Sequence, residues 1–161
     1  MMTTGLVLLD NTILTNFALV GRPDLVLDLW GVACATTPAV IAEYQAGVTD
    51  HGLPANIWNT VTRLPLAPGE QESADQLPPR LGSGERSCIA VAIQRHGLFA
   101  TDDAEARREA QRHGLKVTGT IGILVLNTRL GRLAAAEANA ILANLIAQGY
   151  RSPVVTLDIL L

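Results

Sequence analysis

Short apolar runs alternate with longer stretches of helical periodicity along most of the chain. LVLL at 6–9 reads as a buried strand ending at Asp10, and TILTNFALV after it as a helix. Arg22-Pro23 opens a helix through Leu29, and ACATT at 33–37 reads as a second strand. Pro38 suits a first helical turn, so AVIAEYQAG is predicted helical, with Gly47 as its stop. Between His51 and Ser83 the pattern weakens. TVTRLPL at 60–66 fits a third strand, and EQESADQ at 70–76 fits a loop or a short polar helix over the strand ends. From Gly84 onward the signals sharpen into a helix over ERSCIAVAIQRH, a strand at LFAT, a helix over DAEARREAQRH and a strand at KVTG. IGILVLNTRLG and AAAEANAILANLIAQG then predict two further helices. Strand–helix alternation of this kind predicts an α/β fold, a central parallel sheet flanked by helices.

The pentapeptide QRHGL occurs at 94–98 and again at 111–115. Each copy is expected to end a helix with basic residues in the last turn, to place Gly at the left-handed cap, and to open a strand at Leu. The echo is read as two similar helix stops, not as a repeat or a histidine metal site.

Length and composition narrow the picture further. The 161 residues suit one domain, with an apolar tail at 153–161 (PVVTLDILL). Hydrophobic residues make up 48% of the chain and aromatics only 4%, so the core is expected to be aliphatic. The longest apolar runs, such as IGILVL, fall far short of the roughly 20 residues of a membrane span. The N-terminus lacks a signal-peptide layout, and a cytoplasmic protein is expected. Cys34 and Cys88 show no metal spacing and read as small buried hydrophobes. So much apolar surface also predicts self-association, most simply as a homodimer; the lesser alternative is that the tail adds an edge strand to its own sheet.

The candidate chemistry lies in carboxylates. Asp10 follows the first strand, Asp102 and Asp103 follow LFAT, Glu43 sits in AVIAEY, and Glu85 sits just inside a helix start. In open α/β sheets the C-terminal ends of strands face the ligand crevice. Crowded carboxylates repel one another, which raises their pKa values unless a cation relieves them. A set of acids with no partnering Lys or His suits hard, oxygen-loving ions such as Mg2+ or Mn2+. Such ions support hydrolytic displacement at phosphate. Asp102 with Glu105 matches a capping pattern, so Asp102 is expected to cap the following helix while Asp103 faces the crevice; the doublet leaves the fourth acidic position open between them. No phosphate-cradling loop is present, since GSGE at 82–85 is too short, and no nucleophilic triad has supporting spacing.

Net charge is −3, but the five carboxylates just named account for more than that, leaving the rest of the chain net positive. Its cations are nearly all Arg, with Lys116 the only lysine, and Arg forks suit phosphate. RNA therefore remains a candidate substrate, whereas a long duplex-binding surface does not.

The composite of VLLDNTILTNFA, LGSGERSCIAVA and FATDDAEARREAQRHGLKVTGTIGIL resembles the PIN-domain nucleases, over about residues 6–150. It is especially similar to the VapC-like toxin branch, which reads LxxGE…AIxLA and ATDDxxAR…GLxVxGTxGIL. That resemblance implies a PIN-like three-layer sandwich and a Mg2+- or Mn2+-dependent endoribonuclease leaving a 3′-hydroxyl and a 5′-phosphate. It implies that Asp10, Glu85 and Asp103 hold metal, that Glu43 completes the acidic pocket, and that Thr101 orients the site. Implied partners are a single-stranded or structured RNA and, for the toxin branch, an antitoxin protein. The family often begins D-T-N or D-T-S where this chain has Asp10-Asn11-Thr12, so the small polar contact after the first Asp is expected to be rearranged. Two rivals are a receiver-like phosphoacceptor domain and a catalytically silent PIN-like interaction module. The first lacks its acidic pair and its lysine; the second is opposed by the presence of all four acids.

Overall fold

Five short strands account for the frame in the computed structural model, which describes residues 5–161. They are β1 (Val7–Leu9), β2 (Cys34–Thr36), β3 (Thr62–Arg63), β4 (Leu98–Ala100) and β5 (Val117–Thr118). All pair in parallel, in the order β3-β2-β1-β4-β5. β1 and β2 are wholly buried, which is why their sequences are unbroken apolar or small-residue runs rather than alternating ones. The chain builds outward from β1 through β2 to β3, then returns to the other side of β1 for β4 and β5. The topological switch point therefore lies between β1 and β4, where Asp10 N–H still reaches the Ala100 carbonyl at 3.0 Å.

Helices flank this sheet: α1 (Asn11–Leu19), α2 (Asp24–Trp30), α3 (Pro38–His51), α4 (Pro68–Gln76), α5 (Ser83–Arg95), α6 (Ala104–Arg112), α7 (Thr120–Arg129) and α8 (Ala135–Ala147). The architecture is the expected α/β sandwich around a parallel sheet. One aliphatic core runs from Val7, Leu8 and Leu9 through Ile89 and Val91 to Ile123, Leu124 and Leu142. Thr37 starts α3 by accepting from Val40 N–H at 3.3 Å, with Pro38 in the first turn. Glu70 starts α4 by accepting from Ala67 N–H at 2.8 Å, and Arg95 clasps the same carboxylate at 2.7 and 2.6 Å. That clasp fixes the polar helix α4 against α5 and holds the Glu70 carboxyl below the usual range.

Several local expectations are corrected. Gly47 lies inside α3, which runs on to His51 and ends at Gly52 in the left-handed region (φ 68°). The tail adds no edge strand. Leu157 is buried, its N–H donates to Asn139 Oδ1 at 2.7 Å, and Arg129 donates to the Leu160 carbonyl at 2.6 Å, so the segment clips onto α7 and α8. Here one side-chain acceptor (Asn139) and one side-chain donor (Arg129) take up the tail's backbone in place of the sheet edge.

The two QRHGL copies also stop their helices differently. At the second, Gly114 takes the positive φ (78°), as expected; at the first, His96 takes it (φ 55°) and Gly97 does not. Gly97 is needed for another reason, because a Cβ there would stand 2.9 Å from Leu8 Cδ2 and 3.2 Å from the Leu6 carbonyl. His96→Gly should therefore stabilise the chain by about 1 kcal/mol, the left-handed penalty of a residue with a Cβ. Gly97→Ala should destabilise it by about 1–3 kcal/mol through overpacking. Urea unfolding of both variants checks the assignment, and an unchanged His96→Gly midpoint would mean the turn is unstrained.

Candidate active site

Each carboxylate of the site is carried by the end of an element and held by a named donor. Asp10 leaves β1 at the switch point, almost fully buried, and Thr101 at the end of β4 donates its hydroxyl to Asp10 Oδ2 at 2.6 Å. Asp10 occupies the N-cap position of α1 without capping it by its side chain. Glu43 projects from the second turn of α3, and its Oε1 accepts from Gly84 N–H at 2.9 Å in the first turn of α5. Only glycine permits that approach, since a Cβ at 84 would lie 2.5 Å from the same oxygen. Glu85 Oε2 accepts from Gly82 N–H at 3.3 Å, and Asp103 Oδ2 accepts from Ala106 N–H at 2.8 Å. Glu43 and Glu85 thus sit at the start of α5, and Asp103 at the start of α6, where the positive ends of helix dipoles offset some of their charge.

The four acids feel one another. Burial pushes Asp10 up to about 6, with the charge of Glu43 adding to the rise and the Thr101 hydroxyl opposing it. Burial likewise lifts Glu85 to about 7, reinforced by the charges of Asp10, Asp103 and Glu43. None of the four is in a salt bridge among the described residues. This is the electrostatic signature of a site prepared for a cation or a proton.

The expected division between Asp102 and Asp103 is corrected in one respect. Asp103, not Asp102, caps α6. Asp102 instead accepts from Thr120 N–H at 2.9 Å, the Thr120 hydroxyl at 2.5 Å and Asn16 Nδ2 at 3.0 Å. It thereby joins the β4–α6 corner to the start of α7 and to the middle of α1. Capping and coupling to Glu85 fall on the same residue, Asp103. Chain direction explains the swap: β4 ends at Ala100, and α6 needs the residue before Ala104 as its cap.

Sequence reasoning missed Thr12. Its hydroxyl stands 3.3 Å from Asp10 Oδ2 and 3.4 Å from Thr101 Oγ1, and it accepts from Asp102 N–H at 3.0 Å. The hydroxyl contact after the first Asp is thus kept one position later than in D-T-N, which the Asn11-Thr12 order itself signalled. Thr37 and Ser87 were missed as well. Their hydroxyls meet at 2.6 Å and lock α5 to the end of β2; two small polar residues fifty positions apart carry no signal in one sequence.

The donor set is all oxygen and suits a hard divalent ion. As they stand, however, no three His, Cys, Asp or Glu side chains among the described residues are close enough to share one ion, so Asp10, Glu85 and Asp103 do not form a closed cage. An ion held here by one or two carboxylates would need water in its remaining positions.

A family model for the PIN domain matches residues 6–160, essentially the whole chain. PIN domains are usually nucleases and typically use divalent metal ions. No curated protein sequence matches the chain. No helix among the described residues is long and apolar enough to cross a membrane.

The raised acids fix the sign of the pH dependence. Between about pH 4 and pH 7 the folded chain keeps protons on Asp10 and Glu85 that the unfolded chain releases, so stability falls as pH rises through that window. Glu85→Gln keeps an acceptor for Gly82 N–H and removes the charge. In metal-free buffer it should be more stable than the parent at pH 8 by roughly 1–2 kcal/mol after solvent screening, with the gap closing toward pH 4. Urea titrations across that range measure it; a gap that is flat with pH would show that the acids are not coupled.

Proposed function

The chain belongs to the PIN-domain family, and from that premise we propose that it is a Mg2+- or Mn2+-dependent endoribonuclease. The observation that carries the reading is that Asp10, Glu43, Glu85 and Asp103 meet around the β1–β4 switch point, repelling one another, with none in a salt bridge among the described residues. Asp10, Glu85 and Asp103 are the residues that would hold a divalent ion, one or two of them directly and the rest through water or after moving inward. Such an ion would lower the pKa of water and offset charge developing on a phosphate. Glu43, steadied by Gly84 N–H, keeps its second oxygen to accept a hydrogen bond from water and so orient it. Thr101 and Thr12 hold Asp10 in one rotamer and limit its reach.

The cytoplasm is the proposed compartment, in keeping with two buried free cysteines, of which burial pushes Cys34 up to about 12. A toxin role with an antitoxin partner is supported by the motif resemblance over 81–124 and by no contact within the fold. Self-pairing is favoured by the tail, where Val155 and Ile159 are 82% and 83% exposed although Leu157 between them is buried.

Asp10→Asn and Glu85→Gln should each lower metal-dependent RNA cleavage at least about a hundredfold while leaving the chain folded. Asp103→Ala should lose activity and also about 1 kcal/mol of stability, because it removes a helix cap. Asp102→Ala should lose more stability, about 2–3 kcal/mol, as three donors lose their acceptor. Cleavage of a labelled RNA in Mg2+ against EDTA, paired with urea unfolding, checks all four. Full activity of Asp10→Asn and Glu85→Gln would remove the site from consideration.

Light scattering across a dilution series should show a dimer at micromolar concentration that Val155→Asp with Ile159→Asp dissociates. A monomer at every concentration would eliminate the pairing.

A further inference from the structure

Strand order sets three features in a row along the C-terminal edge of the sheet. The carboxylates occupy the middle, at β1 and β4. Beyond β2 and β3 lies a cavity of about 360 Å³, and beyond β5 another of about 490 Å³. Neither takes part in the chemistry derived above, and both are lined by guanidinium groups.

The first cavity lies between the starts of α3 and α5, the segment after β3, and α4. Arg86 from α5 lines it beside Ser83, Pro38 and Pro65. The Nε of Arg86 is buried and has no hydrogen-bond partner. A buried N–H on a charged group without an acceptor is costly, and folds seldom retain one without a use. Asp75 also lines the cavity, but its Oδ1 accepts from Gln71 at 2.9 Å and no salt bridge joins it to Arg86.

The second cavity is walled by Arg107, Arg151, Tyr150 and the start of α7 at Gly119. Arg107 donates to the Thr101 carbonyl at 2.9 Å, which anchors it beside the acidic site. Neither Arg107 nor Arg151 is in a salt bridge among the described residues. Asp102 faces the same space, with its oxygens already engaged by Thr120 and Asn16. Half-buried Tyr150 adds an aromatic face suited to stacking on a base.

The geometry points to two phosphate subsites, one at Arg86 and one at Arg107 and Arg151. They would hold backbone phosphates of a single RNA strand on either side of the bond presented to the carboxylates. This rests on the nuclease reading and deepens it, since it assigns the arginines that would hold phosphates beyond the scissile dinucleotide on each side. Guanidiniums in cavities on both sides of the carboxylates suit one strand, because arginine forks match phosphate and a single strand can bend between anchors. A duplex would demand a broader basic face than this acidic chain offers. The flanking cations also answer an electrostatic problem, as a polyanion laid across four carboxylates needs positive charge on both sides of them.

The test uses the full chain carrying Asp10→Asn, so that bound RNA is not cut, and a fluorescent single-stranded oligoribonucleotide of about ten nucleotides. Affinity is measured across a salt series. Arg86→Gln and Arg151→Gln should each weaken binding about tenfold or less and lower the salt slope by about 0.7, with additive effects in the double variant. The same sequence as a duplex should bind more weakly and respond little to either change. A purely structural role for Arg86 would alter stability without moving the salt slope, and Arg151 is exposed, so its variant tests the second subsite even where Arg86→Gln unsettles α5. Unchanged affinity and slope in both variants would overturn the proposal. Arginine-dependent binding by a chain whose parent cleaves no RNA in Mg2+ would instead overturn the nuclease reading and leave the subsites standing.

Discussion

Mutual repulsion among Asp10, Glu43, Glu85 and Asp103 is the constraint around which the rest of the structure is arranged. Such a group is unfavourable at neutral pH, and each member is fastened by a donor that the fold supplies: a β4 hydroxyl for Asp10, backbone N–H groups of α5 for Glu43 and Glu85, and one of α6 for Asp103. Most of these donors are helix-start N–H groups that would otherwise lack partners. The sheet topology makes this economical, because the switch point brings the ends of β1 and β4 together while α3 and α5 begin beside them. Local helix capping and the assembly of a charged pocket are thus one set of hydrogen bonds.

Around that pocket the fold uses neutral polar locks rather than countercharges. Asp102 ties α6, α7 and α1 into one corner, and Thr37 with Ser87 ties α5 to β2. Ion pairs are kept at a distance, as in the Arg95–Glu70 clasp that seats α4 and the Arg22 contacts to Asp24 and Glu137. A lysine or arginine within the acid group would neutralise it and occupy the space an ion needs. The arginines stand instead in the flanking cavities, near enough to attract a polyanion and separate from the carboxylates.

Much of this was legible in the sequence, for definable reasons. Buried parallel strands are continuous apolar runs, so β1 and β4 stood out, and the acids directly after them followed from position alone. β3 and β5 are two residues each, lying inside the longer runs TVTRLPL and KVTG, so their presence was legible but their ends were not. The ends of α3 and α5 were misplaced because glycine has two uses: Gly47 and Gly97 look like stops, while Gly97 in fact makes room for Leu8 and His96 accepts the left-handed turn. The Asp102–Asp103 assignment failed on one residue of helix phase, which capping patterns alone do not resolve. Arg86 gave no signal, since an orphaned Nε is a property of three dimensions.

The last consequence concerns how the pocket behaves near neutral pH. With Glu85 raised to about 7 and Asp10 to about 6, a proton and a divalent ion would compete for the same oxygens under the proposed function. Protonating either acid relieves the repulsion and stabilises the fold, but removes a ligand; binding an ion relieves it equally and displaces the proton. Because no three acids approach closely enough in this structure to enclose an ion, binding would either use water in the remaining positions or draw the side chains inward. Glu85 is the less firmly held, its one side-chain hydrogen bond among the described residues being the long contact to Gly82 N–H. Asp10 is buried and gripped by Thr101. Asp10 is thus the more tightly held acid and Glu85 the less, and because both are raised, the affinity of any ion they bound would fall as pH drops through their titration.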